Sequence, residues 1–132
     1  MIRQAAFIET FRVAARLAPD LIRADEDRRF EIDDSVRIPA TDGVVPSAHV
    51  ARPRNSASPP PAAMLFTIYT DPARNRTQAA LAAAHGYVCV VVDARGKRLG
   101  TGTAAPYETE GVDAAAAINW ISRQPWTVGR VV

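Results

Sequence analysis

Two unbroken apolar runs constrain this chain more than any other feature of its sequence. The first, AAMLFTIY, covers residues 62–69, and the second, YVCVVVD, covers residues 87–93. Strands that are covered on both faces are apolar throughout, whereas half-exposed strands alternate apolar and polar residues. The residues between the runs have helical composition and end at Gly86, in the position typical of helix termination. The sequence therefore predicts an α/β fold with two parallel strands joined by a helix.

A hairpin is predicted upstream of these runs. Two segments rich in Val and Ile, near residues 31–38 and 44–52, flank the sequence Thr-Asp-Gly at 41–43. Asp and Gly accept the backbone conformations that tight hairpins require. Residues 53–62 are rich in Pro and Ser, which do not sustain a strand ladder, and we predict an exposed loop there. An antiparallel hairpin thus leads into the parallel sheet.

The two ends of the chain suggest its domain organisation. From Ile2 to Ala18 apolar residues recur at helical spacing, and residues 1–30 are predicted to form an N-terminal helical extension. Residues 111–124 have the composition of a second core helix. After Gly129, Val131 and Val132 have the character of the first residues of a further buried strand. Residues 31–132 are therefore expected to be the amino-terminal part of a larger, truncated domain.

Composition and charge exclude several classes of partner. The 16 basic and 14 acidic residues give a formal net charge of +2, and the cations are scattered rather than grouped in a patch. Nucleic-acid binding normally requires such a patch, so no nucleic-acid partner is predicted. No run approaches the roughly 20 apolar residues of a membrane span, and no apolar secretory segment opens the chain. We expect a cytoplasmic protein; the sequence leaves its oligomeric state open.

Possible cofactor, thiol and metal sites are weak. The sequence GTGTAA at 100–105 resembles a dinucleotide fingerprint, but it starts seven residues after the strand that ends near Asp93, and Pro106 interrupts the exit into a helix. Cys89 is the single cysteine and lies within an apolar run, which favours a buried thiol over a nucleophile. No cofactor is therefore predicted.

Histidines and carboxylates also have ordinary structural explanations. His49 alternates within a predicted edge strand and His85 lies at a helix end, so both are interpreted as structural or solvated residues rather than metal ligands. Glu108, Glu110 and Asp113 precede or begin the second helix, where carboxylates favour the positive end of the helix dipole. No metal site is predicted.

Tyr69 is the strongest candidate for a functional residue. It lies at the carboxyl end of a predicted central strand, where the chain breaks into TDPARN. Ligands of parallel sheets bind at the carboxyl ends of the strands. Two interpretations stay open at this point, a phenol that projects into an active-site crevice and an aromatic ring that plugs the top of the sheet.

Several segments together resemble a known enzyme family. They are VRIPATDGVVPSAHVARP, TIYTD, GYVCVVVDARGKRLGTG and APYETEGVDAAAAINWISRQPWTVGRV, within residues 32–132. They are similar to the amino-terminal part of the catalytic domain of the CocE/NonD hydrolases. These are α/β-hydrolases that include cocaine-esterase-like acyl esterases and X-prolyl dipeptidyl-peptidase-like enzymes. The resemblance implies an incomplete α/β-hydrolase fold that stops a few residues before the G-x-S-x-G nucleophile elbow.

The resemblance also implies a reaction and one site residue. Tyr69 matches the family tyrosine whose hydroxyl donates to the oxyanion, and the nucleophile, acid and His would lie beyond Val132. The implied parent is a serine hydrolase that cleaves a small-molecule ester or an X-Pro peptide, without a cofactor. This chain is expected to be inactive alone. The alternative is a non-catalytic module, derived from the fold, that binds a small molecule or a partner.

Overall fold

The computed structural model describes residues 28–132, which form a mixed sheet with a helix on each face. The predicted helix at residues 2–18 lies outside the described residues, so the 1–30 extension stays a prediction. The elements in chain order are strands β1 (Phe30–Arg37), β2 (Ser47–Pro53) and β3 (Ala62–Thr67), helix α1 (Pro72–Ala84), strand β4 (Val88–Asp93) and helix α2 (Glu110–Ser122).

The sheet has the order β1-β2-β4-β3. Strands β1 and β2 pair antiparallel, as do β2 and β4, whereas β3 and β4 are parallel, with Met64 opposite Val90. The predicted hairpin and the predicted parallel crossover are both confirmed. One expectation was wrong: β2 lies between β1 and β4, so His49 is on an interior strand rather than an edge strand.

Strand β4 is buried along its whole length, which explains its uninterrupted apolar sequence. On one face Val90 packs in a cluster with Ala117 and Ile121 of α2. On the other face Val91 and Cys89 pack with the alanines of α1. Burying one such valine stabilises the fold by about 1.5–3 kcal/mol relative to leaving it exposed.

Helix α1 has clear signals at both ends. The Asp71 side chain caps its start by accepting a hydrogen bond from the Arg74 backbone N–H at 3.1 Å, and Pro72 occupies the first turn. Past its end, Gly86 has a φ of +89°, a conformation that residues with a Cβ rarely adopt. The predicted stop at Gly86 is confirmed, and the cap at Asp71 fixes where the loop from β3 enters the helix.

The hairpin loop is longer than predicted. Strand β2 begins at Ser47 rather than Val44. Before it, the Ile38 and Ala40 N–H groups donate to the Pro46 and Val44 carbonyls at 2.9 and 2.8 Å, and the Val45 backbone exchanges hydrogen bonds with Thr101. In the Pro-rich loop, residues 54–59 are exposed as predicted. Its far end is fixed, since the Pro60 carbonyl accepts hydrogen bonds from the Thr127 hydroxyl at 2.9 Å and from the Val128 N–H at 3.1 Å.

The last two residues run beside β3. Val131 forms a parallel bridge with Ala62, the Val132 N–H donates to the Ala62 carbonyl at 2.9 Å, and the Met64 N–H donates to the Val132 carbonyl at 2.8 Å. This parallel bridge agrees with the predicted start of a further strand at Val131. Val132 is 77% exposed, so its side chain is not buried by the described residues.

Candidate active site

The parallel strands β3 and β4 end at the same edge of the sheet, where ligands of such sheets bind. An open groove of about 670 Å³ lies at this edge. Its lining includes the end of β3, Tyr69, the first turn of α1 and Lys97 from the loop after β4. The groove is therefore one place where the described residues offer side chains to a ligand.

Tyr69 projects from this edge into the solvent. Its residue is 74% exposed, and the phenol hydroxyl has no hydrogen-bond partner within residues 28–132. An aromatic plug of the sheet would be buried, so the described residues do not use the ring in that way. The hydroxyl is free to donate to a ligand, and its role as an oxyanion donor stays a prediction.

The Tyr69 main chain is held firmly, in contrast to its ring. Its N–H donates to the Thr67 hydroxyl oxygen at 3.0 Å. Its carbonyl accepts from the Asp71 N–H at 3.2 Å, from the Asn75 side-chain amide at 3.4 Å and from the Thr67 hydroxyl at 3.4 Å. The Tyr69 N–H thus has a partner from β3, and the Tyr69 carbonyl has partners from both β3 and α1.

The loop after β4 contains a buried ion pair that links it to α2. Arg95 donates to both carboxylate oxygens of Asp113, at 2.8 and 2.6 Å, and to Asp42 at 2.8 Å. The hydrogen bonds to Asp113 and then to Asp42 raise the pKa of Arg95. On the sequence alone, the Asp113 carboxylate is attributed to the helix dipole. Asp113 is buried and paired with Arg95, so the dipole is not its full explanation. It anchors the loop to the helix.

A second polar network lies under the same loop. One oxygen of buried Asp93 accepts from the Ser47 hydroxyl at 2.9 Å and from Arg98 Nε at 2.8 Å. Arg98 also donates to the Asp34 carbonyl oxygen. Strand β4, the start of β2 and the part of β1 around Asp34, where the pairing register with β2 shifts, are therefore tied together at the carboxyl edge.

His49 is part of the sheet's interior rather than of an open site. It is 2% exposed, and its Nδ1 lies 2.8 Å from one carboxylate oxygen of Asp34. The other carboxylate oxygen of Asp34 accepts a hydrogen bond from Arg76 Nε at 3.1 Å. Burial opposes ionisation of Asp34, but the hydrogen bond with His49 and the charge of Arg76 outweigh it and lower the pKa of Asp34. The structural interpretation of His49 is confirmed.

His85 and Cys89, the other weak candidates, lie in settings that structure alone explains. His85 is exposed at the end of α1, with its Nδ1 2.8 Å from the Leu81 carbonyl oxygen. Cys89 is 1% exposed, which confirms the prediction of a buried thiol, and this burial raises its pKa to about 12.

The glycines of the loop after β4 allow the backbone to follow its tight course. A Cβ on Gly96 would lie 2.7 Å from the Gly102 carbonyl oxygen, and the backbone there has a φ of +73°. The next helix begins at Glu110, eight residues after Gly102, so the loop does not lead directly into a helix N-terminus as a dinucleotide fingerprint requires. The glycines instead allow a close backbone approach.

Residues 28–132 contain no helix with the length and apolar character needed to cross a membrane.

Comparison with known proteins gives a family and a fold. Residues 42–132, more than half of the chain, match the model of the X-Pro dipeptidyl-peptidase (S15) family. None of the curated proteins compared with the chain matches it.

Solved structures resemble the chain over most of its length. A CocE/NonD family hydrolase from Staphylococcus aureus has 19% identity and a TM-score of 0.69, over 81% of this chain and 24% of that protein. An alpha-amino acid ester hydrolase has 22% identity and a TM-score of 0.63, over 87% of this chain and 23% of that protein. The esterase Est22 has 18% identity and a TM-score of 0.66, over 97% of this chain and 41% of that protein. At these identities the likeness is one of fold, and this chain spans less than half the length of each.

Proposed function

The chain belongs to the X-Pro dipeptidyl-peptidase (S15) family of hydrolases, and we propose that it is the amino-terminal part of a serine hydrolase. Its fold is the amino-terminal portion of an α/β-hydrolase fold, as predicted from the sequence. The substrate is an ester or amide, either an acyl ester or an X-Pro peptide. The reaction proceeds through an acyl-serine intermediate.

The observation that carries this proposal is the register of the last residues against β3. Val131 lies opposite Ala62 in a parallel bridge, and Tyr69 follows Ala62 by seven residues. Parallel strands advance together by about 3.3 Å per residue, so a strand continued from Val131 reaches the level of Tyr69 after about seven more residues. A nucleophile elbow there would meet the Tyr69 hydroxyl at the carboxyl edge of the sheet.

In this mechanism the chain contributes the oxyanion donor. The serine hydroxyl attacks the substrate carbonyl while a His acts as general base, and negative charge develops on the carbonyl oxygen. The Tyr69 hydroxyl donates to this oxygen, together with the backbone N–H that follows the nucleophile. One such donor stabilises the transition state by about 3 kcal/mol.

The base and nucleophile must come from beyond Val132. His49 is buried with Asp34, and His85 is at the end of α1, one helix length from the carboxyl edge. Neither histidine of the chain can therefore serve a serine placed beside Tyr69. On this proposal the 132-residue chain is inactive alone.

The test compares this chain with the extended protein, by which we mean the product of its reading frame continued past Val132. Both are treated with a fluorophosphonate, which phosphonylates activated serines with loss of fluoride, and the labelled peptide is identified by mass spectrometry. We expect a labelled serine within about ten residues after Val132 in the extended protein, and no label on the 132-residue chain. The extended protein with this serine replaced by Ala is the control.

Two results would contradict the proposal. A reading frame that stops at Val132, or an extended protein that takes no label, would favour a non-catalytic binding module. Label on a serine within residues 1–132 would place the nucleophile elsewhere.

A further inference from the structure

The Tyr69 ring extends from a main chain that is fixed by hydrogen bonds. The phenol has no hydrogen-bond partner there, and 74% of the residue is exposed. The direction in which the ring leaves the sheet depends on the orientation of the Tyr69 peptide groups.

Two side chains fix that orientation from opposite sides. Thr67 is the last residue of β3, and its hydroxyl oxygen accepts from the Tyr69 N–H at 3.0 Å. Asn75 is in the first turns of α1, and its side-chain amide donates to the Tyr69 carbonyl at 3.4 Å. Asn75 is 96% buried, since its exposure is 4%, although its neighbours Ala73 and Arg74 are exposed. A buried amide at an otherwise exposed helix start requires a partner, and the Tyr69 carbonyl is that partner.

We propose that Thr67 and Asn75 are positioning residues, which aim the Tyr69 hydroxyl by holding its main chain between the end of β3 and the start of α1. The inference rests on the proposed role of Tyr69 as an oxyanion donor. Oxyanion donors act because they are already oriented before charge develops. A displacement of about 1 Å in a reacting group can cost about a hundredfold in rate.

A purely structural role is the competing explanation. The same bonds could simply cap β3 and the start of α1, in which case their loss would lower stability and affect activity without regard to Tyr69. The two explanations differ in their dependence on the Tyr69 hydroxyl. A positioning role disappears when that hydroxyl is absent, whereas a structural role persists.

The experiment is a double-mutant cycle on the extended protein with a p-nitrophenyl ester as substrate. Thr67→Val removes the hydroxyl with little change in shape, and Thr67→Ser retains it. Each is made with Tyr69 and with Tyr69→Phe, and kcat, KM and Tm are measured. Thr77→Val is the matched control, because its hydroxyl bonds to the Ala73 carbonyl within α1 and does not contact Tyr69.

With Tyr69 present, we expect Thr67→Val to lower kcat about tenfold with KM within about twofold, and Thr67→Ser to restore kcat to within about threefold. In the Tyr69→Phe background, Thr67→Val should change kcat by less than about twofold. Asn75→Ala should behave like Thr67→Val, with a larger loss of Tm because Asn75 is buried. Thr77→Val should leave kcat unchanged.

Equal losses in both backgrounds, or no loss with Tyr69 present, would overturn the positioning role while leaving the proposed function intact. A Tyr69→Phe protein with the wild-type rate would instead overturn the oxyanion role of Tyr69, and the positioning role with it. A protein without any ester hydrolysis and without fluorophosphonate label would contradict the proposed function itself. The three failures are therefore distinguishable.

Discussion

The loops that follow the two parallel strands are built in opposite ways. The loop after β4 begins at Ala94, and two of its charged side chains, Arg95 and Arg98, are paired and mostly buried, with side-chain exposures of 13% and 12%. The loop after β3 begins at Ile68 and contains an exposed phenol without a partner in the described structure. Both loops lie at the same edge of the same sheet.

The difference between the two loops divides two tasks at this edge of the sheet, rigid support and contact with a ligand. Paired, buried charges fix the course of a loop, and removing one partner leaves an uncompensated charge. An exposed donor on a fixed main chain can reach a ligand without first breaking a bond. We infer that the β4 loop forms the rigid side of the groove and that the β3 loop carries the chemistry. The predictions below test this division, in order of their expected effect on stability.

Arg95→Met should have the largest effect on stability. It keeps most of the apolar stem but removes the guanidinium, leaving the buried Asp113 carboxylate without its partner. We expect the Tm of the extended protein to fall by about 10 °C or more, measured by calorimetry. Lys97→Met is the control, because it removes a cation from the same loop whose side chain makes no ion pair within residues 28–132; its Tm should change by about 1 °C or less. Similar shifts for both variants would mean that the Arg95–Asp113 pair does not fix the loop.

Asp34→Asn should have a smaller effect that depends on pH. The pKa of Asp34 is lowered in the folded protein, so its carboxylate stabilises the fold above the ordinary value of about 3.9, and this contribution is lost as pH falls through the folded pKa. We expect the variant to melt about 2–4 °C below the wild type at pH 7, because the carboxylate is partly exposed, and the gap to close as pH falls below about 4.

Asp33→Asn is the matched control for this measurement. The Asp33 carboxylate is exposed and accepts hydrogen bonds from its near neighbour Ser35. Its replacement should leave Tm nearly constant at both ends of the pH range. A gap at Asp34→Asn that stays the same from pH 7 to pH 2 would show that charge is not what this residue contributes.

Local sequence patterns predicted the parts of the fold that depend on local physics. The apolar run of β4 indicated a strand covered on both faces, and Gly86 indicated a helix end because few other residues adopt its backbone conformation. The start of a strand at Val131 and Val132 was predicted in the same way, from two β-branched residues after a glycine.

Features that depend on long-range contacts could not be predicted in this way. The pairing of Arg95 with Asp113 joins residues 18 apart in sequence and requires the path of the β4 loop. His49 is buried because β2 pairs with β4, and Asp34 reaches it from a strand whose register shifts between Asp33 and Val36. Tyr69 was identified from its place at a strand end, but the bonds that hold its main chain require coordinates.

The most direct test of the division between the two loops is the Tyr69→Phe variant of the extended protein, with the acylation rate and Tm measured on the same sample. The substitution removes one hydroxyl and keeps the ring. Since that hydroxyl has no partner within residues 28–132, Tm should change by about 1 °C or less, and the acylation rate should fall by roughly a hundredfold or more. An acylation rate within a few-fold of wild type, with a lowered Tm, would contradict the role of Tyr69 and make the β3 loop structural like its neighbour.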